Sequence, residues 1–391
     1  MTIAPALPIS WIDTPEQLEA LIETLRSEPR YGFDTEFHGE KTYFPSLALL
    51  QVSWSTGIAL IDPLALDLKP FAEILRGGAT ALVHASTHDL TVIERACGVI
   101  PSSIFDTQLA AGFIGMSTPS LASLCDQLLG IRLSKGDRLT DWRRRPLTDD
   151  QIAYAAADVA HLFALHDQIS DRLNKSGRLQ WALDECGDLL TRDRSPQDPD
   201  TAWWRIKECR ALKGQSRAIA QTVSAWREEW AISNDRPPRF IFGDLSIAVV
   251  ASKPPTALAD LQQIRGVDSS QLRGRIGEEI LRAVKRGLEL DVAEIRNPPV
   301  GETDRESRPG LALVSAWVGQ IARAEKVDAT LLATRHDLVS FLRGDEHAKL
   351  ATGWRAQIVG DVLQRLMRGD VSVALDASGD LVLEQRSNLP A

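Results

Sequence analysis

Four cysteines in 391 residues (Cys97, Cys125, Cys186 and Cys209), none in C-x-x-C spacing, provide neither a zinc-site pattern nor a disulfide framework. Met1–Ser10 lacks a basic stretch followed by an apolar one, which argues against a secretory leader. The apolar uncharged run near Leu311–Ala322 is too short for the ~20 residues a membrane helix needs. There is no P-loop, no G-x-S-x-G and no H-E-x-x-H, so several common enzyme classes have no foothold. The expectation is a cytoplasmic protein with no membrane contact and no obligate protein partner. Basic charge is not in excess either: the net charge is −9.

That sign does not exclude nucleic acid, because phosphate contacts are local. Residues 1–200 sum to −11, whereas residues 201–290 carry 15 basic and 10 acidic side chains, or +5. Within the acidic part, Arg132 to Arg145 is locally basic, with Arg132, Lys135, Arg138, Arg143, Arg144 and Arg145 against Asp137 and Asp141. Apolar residues at 44% and charged residues at 25% are ordinary for a folded soluble chain, and the length suggests two or three domains.

The most informative feature is a pair of acids one position apart, Asp34 and Glu36, inside the apolar and aromatic stretch Tyr31–Phe37. Such a stretch reads as a buried strand, and residues i and i+2 of a strand share a face. Two carboxylates side by side repel and lose hydration unless a cation lies between them, and oxygen-only ligands suit magnesium or manganese. A second source of carboxylate is the stretch from Leu147, which opens with Thr148 and early acids and is rich in Ala and Leu to about Leu173. It predicts a strong helix with Tyr154 and Asp158, i and i+4, on one face. A third is Asp89, in the first turn of a helix from Thr87 to Ala96 that follows a short strand over residues 80–85. The carboxyl ends of strands in open sheets are where sites form.

Asp34-x-Glu36, then His84 with Asp89 and Leu90, then Tyr154-x-x-x-Asp158, resemble the three motifs of the DEDDy exonucleases, and more narrowly ribonuclease D. Asp34–Phe37, Ile61–Pro63, Asp106–Gln108, Thr140–Thr148 and Tyr154–Asp158 all stand where that family has them, over a span from about Trp11 to Arg368. The resemblance implies that Asp34, Glu36, Asp89 and Asp158 are ligands to two divalent ions, Mg2+ or Mn2+. It implies that Asp34 bridges both and Asp158 coordinates opposite it. Glu36 would bind one ion and the terminal ribose hydroxyl, and Asp89 would act through water on the second ion. Tyr154 would complete the catalytic set by holding the attacking water. A phenol with a pKa of about 10 is a poor base unless the metal has already acidified that water, so orientation is its expected task. The implied activity is 3′→5′ exoribonuclease action on RNA, with release of nucleoside 5′-monophosphates, and tRNA precursors with 3′ extensions as substrates. A DNA 3′→5′ exonuclease and a catalytically silent RNA-binding protein are the alternatives; the second would be expected to have lost an acid.

The implied fold is an α/β ribonuclease H-like exonuclease domain over residues 1–195, its mixed sheet made of three antiparallel strands and then parallel ones. Two all-α HRDC-like bundles follow, at 203–292 and 305–371. The polar, Pro-containing stretch from Thr191 to Asp200 reads as a linker. The bundles are an internal repeat: Val223-Ser-Ala-Trp226 recurs as Val314-Ser-Ala-Trp317, and the pattern ending at Gly287 recurs ending at Gly369. The tail, 372–391, carries no strong pattern.

Other candidates are weighed residue by residue. His84 reads as a strand-end group near the substrate and His88 as exposed. Lys135 and Arg145 would hold phosphates, and Trp142 would stack a base or pack its loop. Asp106, acidic and at a strand end like the ligands, reads instead as the cap of the helix it precedes. Trp203 and Trp204 read as packing between domains.

Overall fold

In the computed structural model, residues 7–133, 140–264, 267, 272, 275–298 and 308–386 are described. Among them six strands form one sheet: β1 (Ile9–Ile12), β2 (Arg30–His38), β3 (Ser46–Trp54), β4 (Gly57–Ile61), β5 (Thr80–Val83) and β6 (Ile104–Asp106). Their order is β1-β4-β3-β2-β5-β6. β3 and β4 are antiparallel, and β5 is parallel to both β2 and β6. The edge strand β1, parallel to β4, has no counterpart in the sequence-based reading; at four residues it is too short to show a period.

Two contacts join β2 to its neighbour β3. Ser46 Oγ donates to the His38 carbonyl at 3.3 Å, and a Cβ on Gly32 would run into Ser53 Oγ. Numbers rise along one strand as they fall along the other, so the pair is antiparallel. Gly32 and Ser53 share a face, and so do Asp34 and Gln51, two residues further along each strand.

The sheet has apolar layers on both faces. Tyr31, Phe33, Leu50 and Val52 point to the layer that holds the helix Thr87–Cys97. Leu49, Ile58 and Leu60 point to the layer of the helices Asp149–Ala160 and Leu162–Lys175. The latter two form one predicted helix but are separate, with a break at His161. The Ser53 hydroxyl donates to the Val159 carbonyl at 3.0 Å, and a side chain inserted into the helical ladder is a recognised cause of such a break.

The chain divides into two compact units. One comprises residues 1–36, 47–192 and 301–391; the other comprises 37–46 and 193–300. In the first, the C-terminal helices Arg308–Glu325, Arg335–Leu342, Gly353–Arg355 and Asp361–Arg368 share one apolar cluster with the sheet and its helices, contributing Trp317, Leu338, Trp354 and Leu363. The Trp354 ring stacks on Trp181 at 5.4 Å and meets the edge of Phe113 at 5.1 Å. Both residues of the Glu185–Arg355 ion pair are only 8% exposed. Arg355 grips both carboxylate oxygens and also donates to the Leu331 carbonyl, while Trp354 Nε1 donates to Glu185 at 3.2 Å. The tail is more ordered than its composition suggests: β7 (Val371–Leu375) and β8 (Leu381–Gln385) form an antiparallel hairpin.

The second unit has its own core around the helix Gly214–Ser233 and the helix Ile276–Glu289. Trp203 belongs to that core, and the indole N–H groups of Trp203 and Trp204 both donate to the Arg296 carbonyl. Both tryptophans therefore pack within the first helical bundle. Tyr43, from the loop after β2, donates to the buried Glu228 at 2.5 Å.

The buried Glu185–Arg355 pair yields a prediction. Arg355→Ala leaves Glu185 buried without its partner and is expected to cost about 3–5 kcal/mol of unfolding free energy. Urea titration followed by tryptophan fluorescence measures it. A loss under 1 kcal/mol would show that the pair is not a structural tie between the C-terminal helices and the sheet layer.

Candidate metal and nuclease site

Asp34 and Glu36 leave β2 on one face, and Asp158 comes down from the helix Asp149–Ala160. That helix starts where Thr148 and Gln151 form a capping box, which satisfies its first donors and sets its register. One carboxylate oxygen from each of Asp34, Glu36 and Asp158 lies within 4.8 Å of the others. Asp89 stands outside this trio. It reaches the site from the other layer, where the Thr35 hydroxyl donates to its carboxylate. Thr35 points opposite to Asp34 and Glu36 along β2. Sequence reasoning missed it, although it sits between the two acids.

The electrostatics are those of like charges held together. Burial, then the charges of Asp89, Asp158 and Glu36, push the Asp34 carboxyl well above the ordinary range; the Thr35 backbone N–H pulls the other way. Burial, then Asp158 and Asp89, push Glu36 up to about 8. Burial raises Asp89 as well, opposed by its bond from Thr35. Carboxyls raised by one another's charge lack a compensating cation, and an all-oxygen donor set suits a hard divalent ion.

Tyr154 lies one helical turn before Asp158, its ring 5.9 Å from that of Trp142. Trp142 is 6% exposed, so it packs the loop against Tyr154 and is not available to stack a base. Arg145 is also corrected. Its Nε and Nη2 bind the two oxygens of Asp62 at 2.6 and 2.7 Å. The remaining N–H groups donate to the carbonyls of Trp142, Arg144 and Ala48. All five guanidinium donors are spent, which leaves none for a phosphate. The signal was present in the sequence as Ile61-Asp-Pro63, but nothing there paired Asp62 with an arginine 83 residues on. Lys135 lies outside the described residues. His84 Nδ1 lies 3.0 Å from Thr107 Oγ1, and burial lowers its pKa. His88 is exposed.

Asp106 caps its helix as expected, accepting from the N–H groups of Gln108 and Leu109. It also accepts from the N–H groups of Ala85 and Ser86 and from the Ser86 hydroxyl. Ala85 has a φ of 58°, a costly turn for a side-chain-bearing residue, and Asp106 holds that turn in place. The acid excluded from the ligands thus fixes the loop that launches the Asp89 helix.

Comparison with known proteins agrees with this arrangement. A family profile described as 3′-5′ exonuclease matches residues 9–174, and one described as HRDC domain matches residues 216–284. The chain is similar to the ribonuclease D of Granulibacter bethesdensis, at 35% identity over 93% of this chain and 94% of that one. The ribonuclease D of Escherichia coli is 30% identical over 91% of this chain and 98% of that one. The crystal structure of Escherichia coli RNase D, described as an exoribonuclease involved in structured RNA processing, superposes with a TM-score of 0.84. That match has 29% identity over 93% of this chain and 99% of that one.

Two predictions arise here. Glu36 is protonated up to about pH 8 in the folded chain, against an ordinary value of 4.5. Its contribution to stability is therefore full below pH 4.5 and is lost as the pH rises to about 8. Cation binding needs the deprotonated form and competes with those protons. The rise in Tm on adding Mn2+ to metal-free protein is expected to be larger at pH 8 than at pH 5.5, and an equal rise at both would contradict the shift. Separately, Arg145→Met strands the charge of the buried Asp62, at a cost of about 3–5 kcal/mol. RNA affinity of the folded protein, read by fluorescence anisotropy, is expected to stay unchanged. Weakened RNA binding at undiminished stability would restore the phosphate role.

Proposed function

This chain belongs to the ribonuclease D family and is a 3′→5′ exoribonuclease, and we propose that Asp34, Glu36, Asp89, Asp158 and Tyr154 carry its hydrolysis. The exonuclease domain of the family is metal-dependent, and the acidic cluster fits that requirement. The observation that carries the proposal is the convergence of three carboxylates within 4.8 Å from two separate elements, with the charge of Asp89 felt by both Asp34 and Glu36.

In this reading Asp34, Glu36, Asp89 and Asp158 would hold two divalent ions, Mg2+ or Mn2+. Bound there, they would supply Lewis-acid activation of water and charge stabilisation of the leaving 3′-oxygen. The protein's part is placement. Asp34 and Glu36 ride on one rigid strand and Asp158 on a capped helix, so the donors are fixed before substrate arrives. Asp106 holds the loop that sets Asp89. Tyr154, braced by the ring of Trp142, would orient the attacking water with its hydroxyl. Products would be nucleoside 5′-monophosphates taken from a single-stranded 3′ end.

The substrates we propose are tRNA precursors with 3′ trailers, gripped by HRDC-like modules at 203–292 and 305–371. The +5 balance of residues 201–290 supports a phosphate-facing role for the first of these. Asp34→Asn or Asp158→Asn is expected to reduce mononucleotide release from a labelled RNA to background, with the circular dichroism spectrum and RNA affinity retained. Release at the parental rate from either variant would overturn the assignment. Running a DNA oligonucleotide of matched sequence alongside tests the choice of sugar.

A further inference from the structure

Gln51, near the middle of β3, is 0% exposed, and neither Oε1 nor Nε2 of its amide has a hydrogen-bond partner. Buried amides are nearly always paired, so a buried one without a partner needs a reason. Its position supplies one. Along β3, Leu49, Gln51 and Ser53 share the face turned to the Asp149–Ala160 helix, since Leu49 joins that layer and Ser53 Oγ bonds to Val159. On one side Gln51 is in register with Leu60 of β4, which is apolar. On the other side, the contact of Gly32 with Ser53 puts Asp34 of the neighbouring strand on the same face. Same-face neighbours on adjacent strands have Cβ atoms about 4.5–5.5 Å apart when directly opposed and about 7–8 Å when diagonal, within reach of a long side chain. The amide thus has an apolar neighbour to one flank and the Asp34 carboxyl to the other.

We infer that Gln51 is a positioning residue for the acidic site: its Nε2–H donates to the Asp34 carboxylate and holds it toward the cations. The inference rests on the two-cation reading above. Metal-ligating carboxylates are themselves oriented by hydrogen bonds, and removing such a partner typically weakens metal affinity by about 10–100-fold. The bond forms as the Asp34 carboxylate turns to take up the cations.

The test is Mn2+ binding to the full-length protein at pH 8, read from the free-ion signal in electron paramagnetic resonance. It compares the parental chain with Gln51→Leu and Gln51→Met, two apolar replacements of similar size. Thermal unfolding in chelator is recorded in parallel. Both variants are expected to bind Mn2+ at least about tenfold more weakly, while their Tm in chelator stays at or above the parental value. Raising Mn2+ should recover much of the lost RNA hydrolysis, with the KM for RNA unmoved. Parental Mn2+ affinity in either folded variant overturns this inference and leaves the two-cation reading standing. Failure of the parental chain to bind Mn2+ overturns both. If Gln51→Leu does not fold, Gln51→Met decides; if neither folds, the amide belongs to the fold and the inference falls.

Discussion

Three carboxylates that repel one another are held within 4.8 Å on one face of a sheet, with Asp89 reaching them from the other layer, and the surrounding architecture is what keeps them there. Left to themselves the side chains would turn away or stay protonated, and the raised pKa values of Asp34 and Glu36 register burial first and then that repulsion. The scaffold answers from two layers. β2 cannot rotate Asp34 and Glu36 outward without turning Tyr31 and Phe33 out of the opposite core. The helix carrying Asp158 is capped at its start and tied to β3 near its end through Ser53 and Val159. Asp89 is pinned by Thr35, and the loop before it by Asp106. A site under such internal tension is stable only because rigid neighbours over-determine it.

Much of this was legible in the sequence because it rests on local periodicity. The alternation in Tyr31–Phe37 gave a strand with both acids on one face, and the Ala-rich run gave a helix with Tyr154 and Asp158 aligned. Asp106 could be told from a ligand because capping is a local habit of Asp before a helix. What escaped depends on partners distant in the chain. Arg145 looked like a phosphate ligand until Asp62 and three carbonyls took all its donors. Trp142 looked free to stack until its burial was seen. The break at His161 is invisible in helix propensity because it follows from a serine hydroxyl on another element. β1 was missed because a four-residue edge strand offers no pattern to read.

The internal repeat also hid a difference. Val223–Trp226 and Val314–Trp317 look alike and both bury their tryptophan, yet the two copies have different surroundings. The first builds a core of its own with Trp203 and the helix Ile276–Glu289. The second contributes Trp317 and Leu363 to the cluster shared with the sheet's helices, and is fastened by Glu185–Arg355 and by Arg178, whose Nη1 donates to the Glu325 carbonyl at 2.6 Å. Repeated sequence therefore specifies the helical motif, while a handful of residues on its outer face decides what that motif packs against.

The discontinuity of the first unit has a consequence during synthesis. Its sheet and early helices leave the ribosome long before Trp354 and Arg355, and a whole independent unit is translated in the interval. Throughout that time Phe113, Trp181 and the Glu185 carboxylate have no lid. Bare apolar surface of this kind is prone to aggregation. A chain stalled or truncated in its last quarter would therefore show the quality-control machinery an unfinished face, and the late-made helices serve as the closing piece that turns a nascent polypeptide into a finished enzyme.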